Sequence, residues 1–266
     1  MFIKMVAMDM DGTLLNDDLK VSDTDKETIY NCLKKGIYIV FLTARSYISA
    51  NSYAQEMRIN IPMVCYNGAL IRDSYFGYLY YKNTISLDLA RWILNEALKE
   101  NVYAKVYIED KFYIKNFNKE AENYSQIFKT KYEICDIEKI DEEPYMIVLK
   151  DDELKLKYFT KKIINKSKYK NMFSYTSSKT GNLEITNKNT NKGRALEILS
   201  EYLNIKKENI LAIGNSLNDI SMLNFAGIGV AMKNSDIELK NNWHDISQYS
   251  NNESGVSHII KDFLNL

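Results

Sequence analysis

The 266-residue chain has little of what marks several classes of protein. Its 35 basic and 35 acidic residues cancel, so no net charge attracts it to nucleic acid or to an acidic membrane surface. It has three cysteines, an odd number at wide spacing, which argues against a disulfide scaffold and against a zinc cluster. We therefore expect a protein of the reducing cytoplasm without nucleic-acid or membrane partners.

Long apolar runs are also missing. No run approaches the length of a membrane span, and Asp9 and Asp11 interrupt the apolar N-terminal segment before it takes the form of a secretory signal. No internal repeat is evident. With 45% hydrophobic and 26% charged residues, a chain of this length can bury a sizeable core in one or two globular domains. The protein could be a monomer or a homodimer.

Short apolar runs, each followed by turn residues and then a helical pattern, make up both ends of the chain. Strands that are buried on both faces read as such continuous runs, so we predict an α/β fold with a doubly wound, Rossmann-like parallel sheet. The first predicted helix begins at Thr24, with Glu27 at capping-box spacing. The predicted strands are FIKMVAM (2–8), IYIVFL (37–42), MVCY (63–66), ILAIG (210–214) and GIGVAM (227–232), and the predicted helices are 24–35, 191–203, 216–224 and 255–264.

The middle of the chain has a different texture, with alternating strand patterns between helices. We predict an inserted α+β cap domain over residues 83–187 and a core made of residues 1–82 and 188–266, with a cleft between the two. The predicted cap elements are helices 86–100, 119–129 and 152–166 and strands 102–108, 112–116, 146–149, 172–176 and 182–186.

Polar residues follow the apolar runs of the core. Asp9 and Asp11 end the first run, and because residues two apart in a strand point to the same face, their carboxylates should converge near the turn at Gly12. An unpaired buried carboxylate is costly, so the pair needs a cation, a partner or water. Parallel sheets bind ligands at the carboxyl ends of their strands. The other turns at this edge hold Thr43 and Arg45, Asn67 and Gly68, and Asn215, Asn218 and Asp219.

One lysine is placed unfavourably for its own helix. In NTNKGRAL (189–196), Lys192 lies in the first helical turn, where a cation opposes the helix dipole. We expect an anion in front of it.

Four of these segments carry a resemblance to a known family. DMDGTL (9–14), LTAR (42–45), NKG (191–193) and GNSLND (214–219) occur in the order and spacing of the four motifs of the haloacid dehalogenase superfamily. The segment YNGALI (66–71) and the long insertion are similar to the Cof-type (class IIB) sugar-phosphate phosphatases of that superfamily. A single short motif is weak evidence, but four in order at strand ends are specific.

The resemblance implies a phosphoric monoester hydrolase that uses Mg²⁺ and acts on a small phosphorylated metabolite, either a sugar phosphate or a cofactor phosphate. It implies that Asp9 is the nucleophile, which forms an aspartyl-phosphate, and that Asp11 is the general acid and base. By the same resemblance, Thr43, Ala44 and Lys192 bind phosphate, Arg45, Asn67, Gly68 and Asn218 bind substrate, and Asp9, Asp11, Asn215 and Asp219 hold the metal.

The chain departs from the family pattern at two positions. Asn215 stands where the fourth motif usually has an aspartate that ligates the metal. An asparagine still offers a carbonyl oxygen but removes a negative charge, so Mg²⁺ should bind more weakly. Ala44 replaces the usual glycine of the second motif and keeps its amide N–H.

Other functions stay open. Asn215 motivates a phosphosugar-binding or regulatory protein of the same fold with weak or no turnover. A receiver-type signalling domain and a phosphomutase are further possibilities.

Single residues also have simpler roles available. Thr43 could merely close a strand, Lys192 could be solvated, and Arg45 and Asn67 could make only local hydrogen bonds. Ser216 and Asp219 are spaced as a helix capping box.

The predicted cap offers no single residue with a clear role. Its segments YAKVYIED (103–110), KFYIKN (111–116) and YTSSKTGNLEIT (175–186) are rich in aromatic and hydroxyl groups, which suit a sugar or a flat phosphorylated vitamin. The same period-two aromatic pattern is typical of a packed strand face.

Overall fold

The computed structural model describes residues 2–176 and 181–264. None of the helices in this part of the chain has the length and apolar character needed to cross a membrane. The strands are β1 (Met5–Asp9), β2 (Tyr38–Leu42), β3 (Pro62–Cys65), β4 (Leu70–Asp73), β5 (Leu79–Lys82), β6 (Tyr103–Ile108), β7 (Lys111–Ile114), β8 (Lys131–Ile134), β9 (Met146–Lys150), β10 (Phe173–Thr176), β11 (Asn182–Asn187), β12 (Ile210–Gly214) and β13 (Ile228–Ala231).

Helices connect and cover these strands. They are α1 (Asp23–Lys34), α2 (Tyr47–Glu56), α3 (Leu87–Lys99), α4 (Lys119–Phe128), α5 (Glu153–Tyr158), α6 (Lys192–Tyr202), α7 (Ile220–Phe225), α8 (Ile237–Asn242) and α9 (Gly255–Phe263).

The first sheet has the order β13-β12-β1-β2-β3-β4-β5. Its strands are parallel from β13 to β3, which confirms the predicted α/β fold with a parallel-sheet core. The antiparallel strands β4 and β5 extend one edge and were not predicted. They are four residues each, and β5 is largely exposed, so neither leaves a continuous apolar run in the sequence.

The continuous apolar run of β1 follows from burial on both faces. Met5 and Ala7 pack into the core that contains Leu196 of α6. Val6 and Met8 pack into the opposite core, which contains Ile29 of α1. Successive residues of a strand point to opposite faces, so an apolar residue is needed at every position.

The second sheet has the order β10-β11-β9-β6-β7-β8 and is antiparallel except for the β7–β8 pair. Ala104 and Val106 on one face pack into a separate core with Ile93 of α3. Tyr107 and Val148 on the other face join the hydrophobic cluster of the first sheet. This face of the second sheet therefore lies over the edge of the first.

Local capping explains several differences from the predicted elements. Helix α1 begins one residue early because Ser22, and not Thr24, is the N-cap, and its hydroxyl accepts from the Asp25 N–H at 3.0 Å. The predicted helix 152–166 comprises α5 and a π-helical stretch at Phe159–Ile164. The predicted helix 216–224 comprises a short 3₁₀ turn and α7.

Strand β8 was not predicted, and it is only four residues long and mostly exposed. The division of the chain into a core and a cap domain stays a prediction.

Candidate active site

The candidate site lies at the carboxyl ends of β1, β2 and β12, beside the N-terminus of α6. A cavity of about 640 Å³ opens there. Asp9, Asp11, Ala44, Thr43 and Arg45 line it from the first sheet, and residues of the second sheet line it from the opposite side. Because parallel strands end at one edge, segments more than 200 residues apart in sequence meet here.

Two carboxylates hold a buried lysine at the bottom of the site. Lys192 Nζ donates to Asp9 Oδ1 at 2.5 Å and to Asp219 Oδ1 at 2.6 Å. All three side chains are buried. Burial raises the pKa of Asp9 to about 7, against the opposing charge of Lys192. Burial by itself would lower the pKa of Lys192, but the charges of Asp219 and Asp9 outweigh it and keep that pKa above its ordinary value.

The start of α6 explains where Lys192 lies. Asn191 is the N-cap, and its side chain accepts from the Arg194 N–H at 2.8 Å. Gly68, at φ +108°, lets a turn pack against this cap, since a Cβ on Gly68 would lie 2.5 Å from the Asn191 carbonyl oxygen. The expected anion in front of Lys192 is supplied, in the protein alone, by two aspartates. Contact of Gly68 with substrate stays a prediction.

Asp11 directs its carboxylate away from Lys192. Arg45 binds it with two hydrogen bonds, from Nε to Oδ2 at 2.7 Å and from Nη2 to Oδ1 at 2.6 Å. The guanidinium is buried and lies 4.6 Å from the centre of the Phe128 ring and 5.2 Å from that of Tyr53. Such a two-point pair between planar groups fixes the orientation of Asp11 and favours its ionised form.

Thr43 and Ala44 follow β2 at the same edge. The Thr43 N–H donates to the Val64 carbonyl, and its hydroxyl accepts from the Arg45 N–H at 3.1 Å. Thr43 is buried and Ala44 lines the cavity beside it. Their position beside Asp9 is the one that phosphate binding would require, and that role stays a prediction.

Asn67 and Asn218 connect the two sheets. Asn67, at φ +55° in the turn after β3, donates from Nδ2 to Glu184 Oε2 at 2.6 Å and accepts from Asn218 Nδ2 at 3.1 Å. Glu184 belongs to β11 of the second sheet, and sequence reasoning did not single it out. The one sequence signal that could have found Glu184 is a carboxylate at a buried position of a predicted strand.

Asn215 lies where three oxygen atoms converge. Its Oδ1 accepts from the Thr13 hydroxyl at 2.9 Å and lies 3.1 Å from Asp9 Oδ2 and 3.0 Å from the Asp11 carbonyl oxygen. Acceptor oxygens this close repel each other unless a proton or a cation lies between them. If the amide is turned by half a turn, Nδ2 takes the place of Oδ1 and donates to all three oxygens.

The first orientation of Asn215 fits a small divalent cation. Oxygens that share an octahedral ion at about 2.1 Å lie about 3.0 Å from each other, which matches the separations from Asp9 Oδ2 and from the Asp11 carbonyl. Within residues 2–176 and 181–264, no three His, Cys, Asp or Glu side chains converge on a metal position. The oxygens that converge at this position come from one carboxylate, one main-chain carbonyl and one amide, and their role as metal ligands stays a prediction.

Asp219 has a different set of contacts. Its Oδ2 accepts from the Asn215 and Ser216 N–H groups at 2.8 and 3.0 Å, and its Oδ1 accepts from Lys192. The capping box with Ser216 is present, and it coexists with the contact to the buried lysine. Its role as a metal ligand stays a prediction.

The opposite wall of the cavity comes from the second sheet and from α4. No residue of this wall was predicted, because a period-two aromatic pattern does not reveal which face it covers. Residues 177–180, part of the segment YTSSKTGNLEIT, lie outside the described residues. The residues that line the cavity from this side include Lys105, Tyr107, Glu120, Tyr124, Lys150 and Glu184.

An aspartate at the end of the first strand, a buried lysine beside it and a second sheet over the cleft form the arrangement that the four motifs predicted. The chain belongs to the haloacid dehalogenase-like hydrolases, and the model of that family matches residues 6–260. The resemblance noted in the sequence is thereby confirmed.

Individual proteins show the same similarity over the full length. The chain is 28% identical to the Bacillus subtilis 5-amino-6-(5-phospho-D-ribitylamino)uracil phosphatase YcsE, over 98% of this chain and 96% of that protein. A solved haloacid dehalogenase-like hydrolase from B. subtilis is 28% identical, with a TM-score of 0.88 over 98% of this chain and 100% of that one. The subclass IIB sugar phosphatase BT4131 shares the fold, with a TM-score of 0.83 at 20% identity over 98% of each chain.

Proposed function

We propose that this protein is an Mg²⁺-dependent phosphatase that hydrolyses a small phosphorylated metabolite through an aspartyl-phosphate on Asp9. The observation that carries the proposal is the Asp9 carboxylate, which lies at the bottom of a cavity with the Lys192 ammonium at 2.5 Å and Asp11 two residues further on. Support also comes from a relative that is named as a phosphatase of a phosphorylated ribitylaminouracil.

Asp9 would form a bond to phosphorus while the bond from phosphorus to the ester oxygen breaks. Asp11 would give a proton to the departing oxygen. It would then take one from the water that attacks phosphorus, as the bond from phosphorus to Asp9 breaks and inorganic phosphate leaves. Lys192 and Thr43 would bind the phosphoryl oxygens, because both lie beside Asp9. Lys192 is suited to this because two carboxylates keep it charged.

Arg45 bears on the acid and base steps. Its two hydrogen bonds to Asp11 favour the ionised carboxylate, which is the form that accepts a proton from water. For the first step Asp11 must carry the proton, so the contact with Arg45 has to weaken when substrate binds. Arg45 thus acts on Asp11 as a positioning residue in addition to its predicted contact with substrate.

Mg²⁺ would be held by Asp9, by the main-chain carbonyl of Asp11 and by Asn215, with Asp219 behind them. When bound, the ion supplies positive charge that neutralises the phosphoryl oxygens. With an amide in place of a carboxylate at residue 215, we expect weaker binding of the ion than a second carboxylate would give.

We also propose the domain division made from the sequence, with a core of residues 1–82 and 188–266 and a cap of 83–187. It is supported by the sheets, since β5 ends at Lys82, β11 ends at Asn187, and the strands between them form the second sheet. The cap would choose the substrate while the core does the chemistry.

A second candidate is a phosphosugar-binding or regulatory protein with little turnover. It is favoured by the turned orientation of Asn215, in which the amide donates to Thr13, Asp9 and Asp11 and so takes the place of a cation.

Phosphate release separates the two candidates. The purified protein is assayed with p-nitrophenyl phosphate and a panel of sugar and cofactor phosphates, with Mg²⁺ and with a chelator. The phosphatase predicts release that depends on Mg²⁺ and is abolished in Asp9→Asn. The matched control is Asp17→Asn, which changes an aspartate at the rim of the same cavity and should stay active. Ester binding without release from any ester would favour the binding protein.

A further inference from the structure

Lys105 is a buried cation that the proposed chemistry does not use. It lies on β6, lines the cavity and has a side chain that is only 6% exposed. The nearest carboxylate oxygen, Glu120 Oε1, is 3.7 Å from its Nζ, which is beyond hydrogen-bond distance. Among the residues that the structure describes, Glu120 is the one charged partner of this ammonium, and the contact is a long ion pair and not a short hydrogen bond. A buried ammonium in that condition requires an acceptor.

The surroundings of Lys105 compensate its charge only in part. The ammonium lies 4.3 Å from the centre of the Tyr124 ring, a cation–π contact. Glu120 is already held by Lys150, whose Nζ is 2.5 Å from the same oxygen. Two lysines therefore share one glutamate, and the local charge is positive. Burial lowers the pKa of Lys105, and the charge of Glu120 only partly opposes that change.

A second carboxylate of the wall, that of Glu184, lies on the same face of the sheet as Lys105 and two strands away. In the register of the sheet, Lys105 lies opposite Val148 on β9, and Val148 lies opposite Glu184 on β11. Two strand spacings separate the charged residues by about 10 Å. Glu184 is instead bound to Asn67. A ligand between the two would meet a cation at one end and a carboxylate, which accepts hydrogen bonds from hydroxyl groups, at the other.

We propose that Lys105 binds an anionic group on the leaving group of the substrate. The preferred substrates would then be phosphate esters of polyhydroxy compounds that carry a carboxylate or a second phosphate. This inference rests on the proposed phosphatase function, and it names the substrate class of that same site. Lys105 is a specificity residue in this account, and the reaction itself proceeds without it.

A matched pair of esters tests the proposal. 6-Phosphogluconate and sorbitol 6-phosphate differ at the far end of the chain, where a carboxylate replaces a CH₂OH group. Glucose 1,6-bisphosphate and glucose 6-phosphate test a second phosphate in the same way. We expect the wild type to prefer the more anionic member of at least one pair, and Lys105→Met to lose about 10- to 100-fold in kcat/KM on that member, mainly through KM. On sorbitol 6-phosphate and p-nitrophenyl phosphate the variant should stay within about threefold of wild type.

Two control variants separate recognition from structure. Lys111→Met removes an exposed lysine of the same sheet, paired with Glu133 outside the cavity, and should leave both pairs unchanged. Lys105→Arg keeps the charge and should retain part of the preference. A wild type with no preference in either pair would overturn the proposal, as would an equal loss on all esters in Lys105→Met.

A further measurement covers the case in which Lys105→Met does not fold, which circular dichroism would show. Gluconate should then inhibit the wild type competitively against p-nitrophenyl phosphate, and sorbitol should do so at least about tenfold more weakly. Equal inhibition by the two would overturn the proposal. Failure of the phosphatase function itself looks different, because no ester would release phosphate.

Discussion

Two lysines are buried near the candidate site, Lys192 at the start of α6 and Lys105 on the second sheet, and they have opposite surroundings. Lys192, from the first sheet's side, contacts two carboxylates at 2.5 and 2.6 Å, and their charges raise its pKa. Lys105, on the second sheet, has its nearest carboxylate at 3.7 Å, and burial lowers its pKa. Two close carboxylates therefore neutralise Lys192 within the protein, while Lys105 has one distant carboxylate that it shares with Lys150, so an anionic ligand could complete its neutralisation.

The same contrast holds for the charge of the two regions. Among the described residues, three carboxylates around Asp9, those of Asp9, Asp11 and Asp219, face the cations of Lys192 and Arg45. In the same part of the chain, the ion pairs around Lys105 join two cations to one carboxylate. The region around Asp9 therefore suits an added cation, as expected of the reaction centre, and the region around Lys105 suits an added anion, as expected of a substrate-recognition site.

The largest effect should come from Lys192→Met. Two buried carboxylates would lose their common cation, so we expect a loss of about 3–5 kcal/mol in the free energy of unfolding. Phosphatase activity should fall by about 10³-fold. Urea unfolding and phosphate release measure the two effects. If the variant stayed as stable as wild type, the ion pairs of Lys192 would not hold the site together.

Arg45→Gln tests the other cation of the same region. Asp11 would lose the two hydrogen bonds from Arg45, and we expect kcat to fall by about 10- to 100-fold with a smaller change in KM, because positioning of the acid and base is lost. Arg45→Lys keeps the charge without the two-point geometry and should recover little. A rise in KM at constant kcat would instead show that Arg45 acts by binding substrate.

Asn215→Asp adds a fourth carboxylate to the region that already has three. Affinity for Mg²⁺ should rise by roughly tenfold, since charge count sets affinity for such hard cations. Stability without Mg²⁺ should fall, because the new carboxylate would face Asp9. Titration calorimetry and thermal unfolding without metal give both values. Asn218→Asp is the control, since Asn218 contacts Asn67 and not Asp9. Unchanged Mg²⁺ affinity in Asn215→Asp would contradict the proposed ligand set.

The smallest effect on stability should come from Lys105→Met. Replacing a weakly paired buried ion by an apolar side chain of similar length is neutral or stabilising, so the free energy of unfolding should change by less than about 1 kcal/mol. Urea unfolding of Lys105→Met and Lys192→Met under the same conditions compares their free energies of unfolding directly. A loss as large as that of Lys192→Met would mean that Lys105 is a structural residue and that the two lysines are alike.

The sequence could predict those site residues that lie directly after the ends of strands. The places of Asp9, Thr43 and Asn215 came from apolar runs followed by polar turns, and the turns of parallel strands share one edge. The contact between Arg45 and Asp11 could not be foreseen. It depends on side-chain directions in two different turns, and the sequence pattern places residues on an edge without orienting them.

By itself, the sequence determined the α/β fold, its family and the edge of the sheet where the motif residues meet, because strand periodicity, turn residues and motif order are local properties of the chain. Only the tertiary structure decided which charges pair. The sequence marked Lys192 by its place in the first helical turn but gave no role to Lys105, and in neither case did it show which carboxylates approach from distant segments. Burial then makes the pairing of each lysine matter, because a charge removed from water depends on the few groups within contact of it.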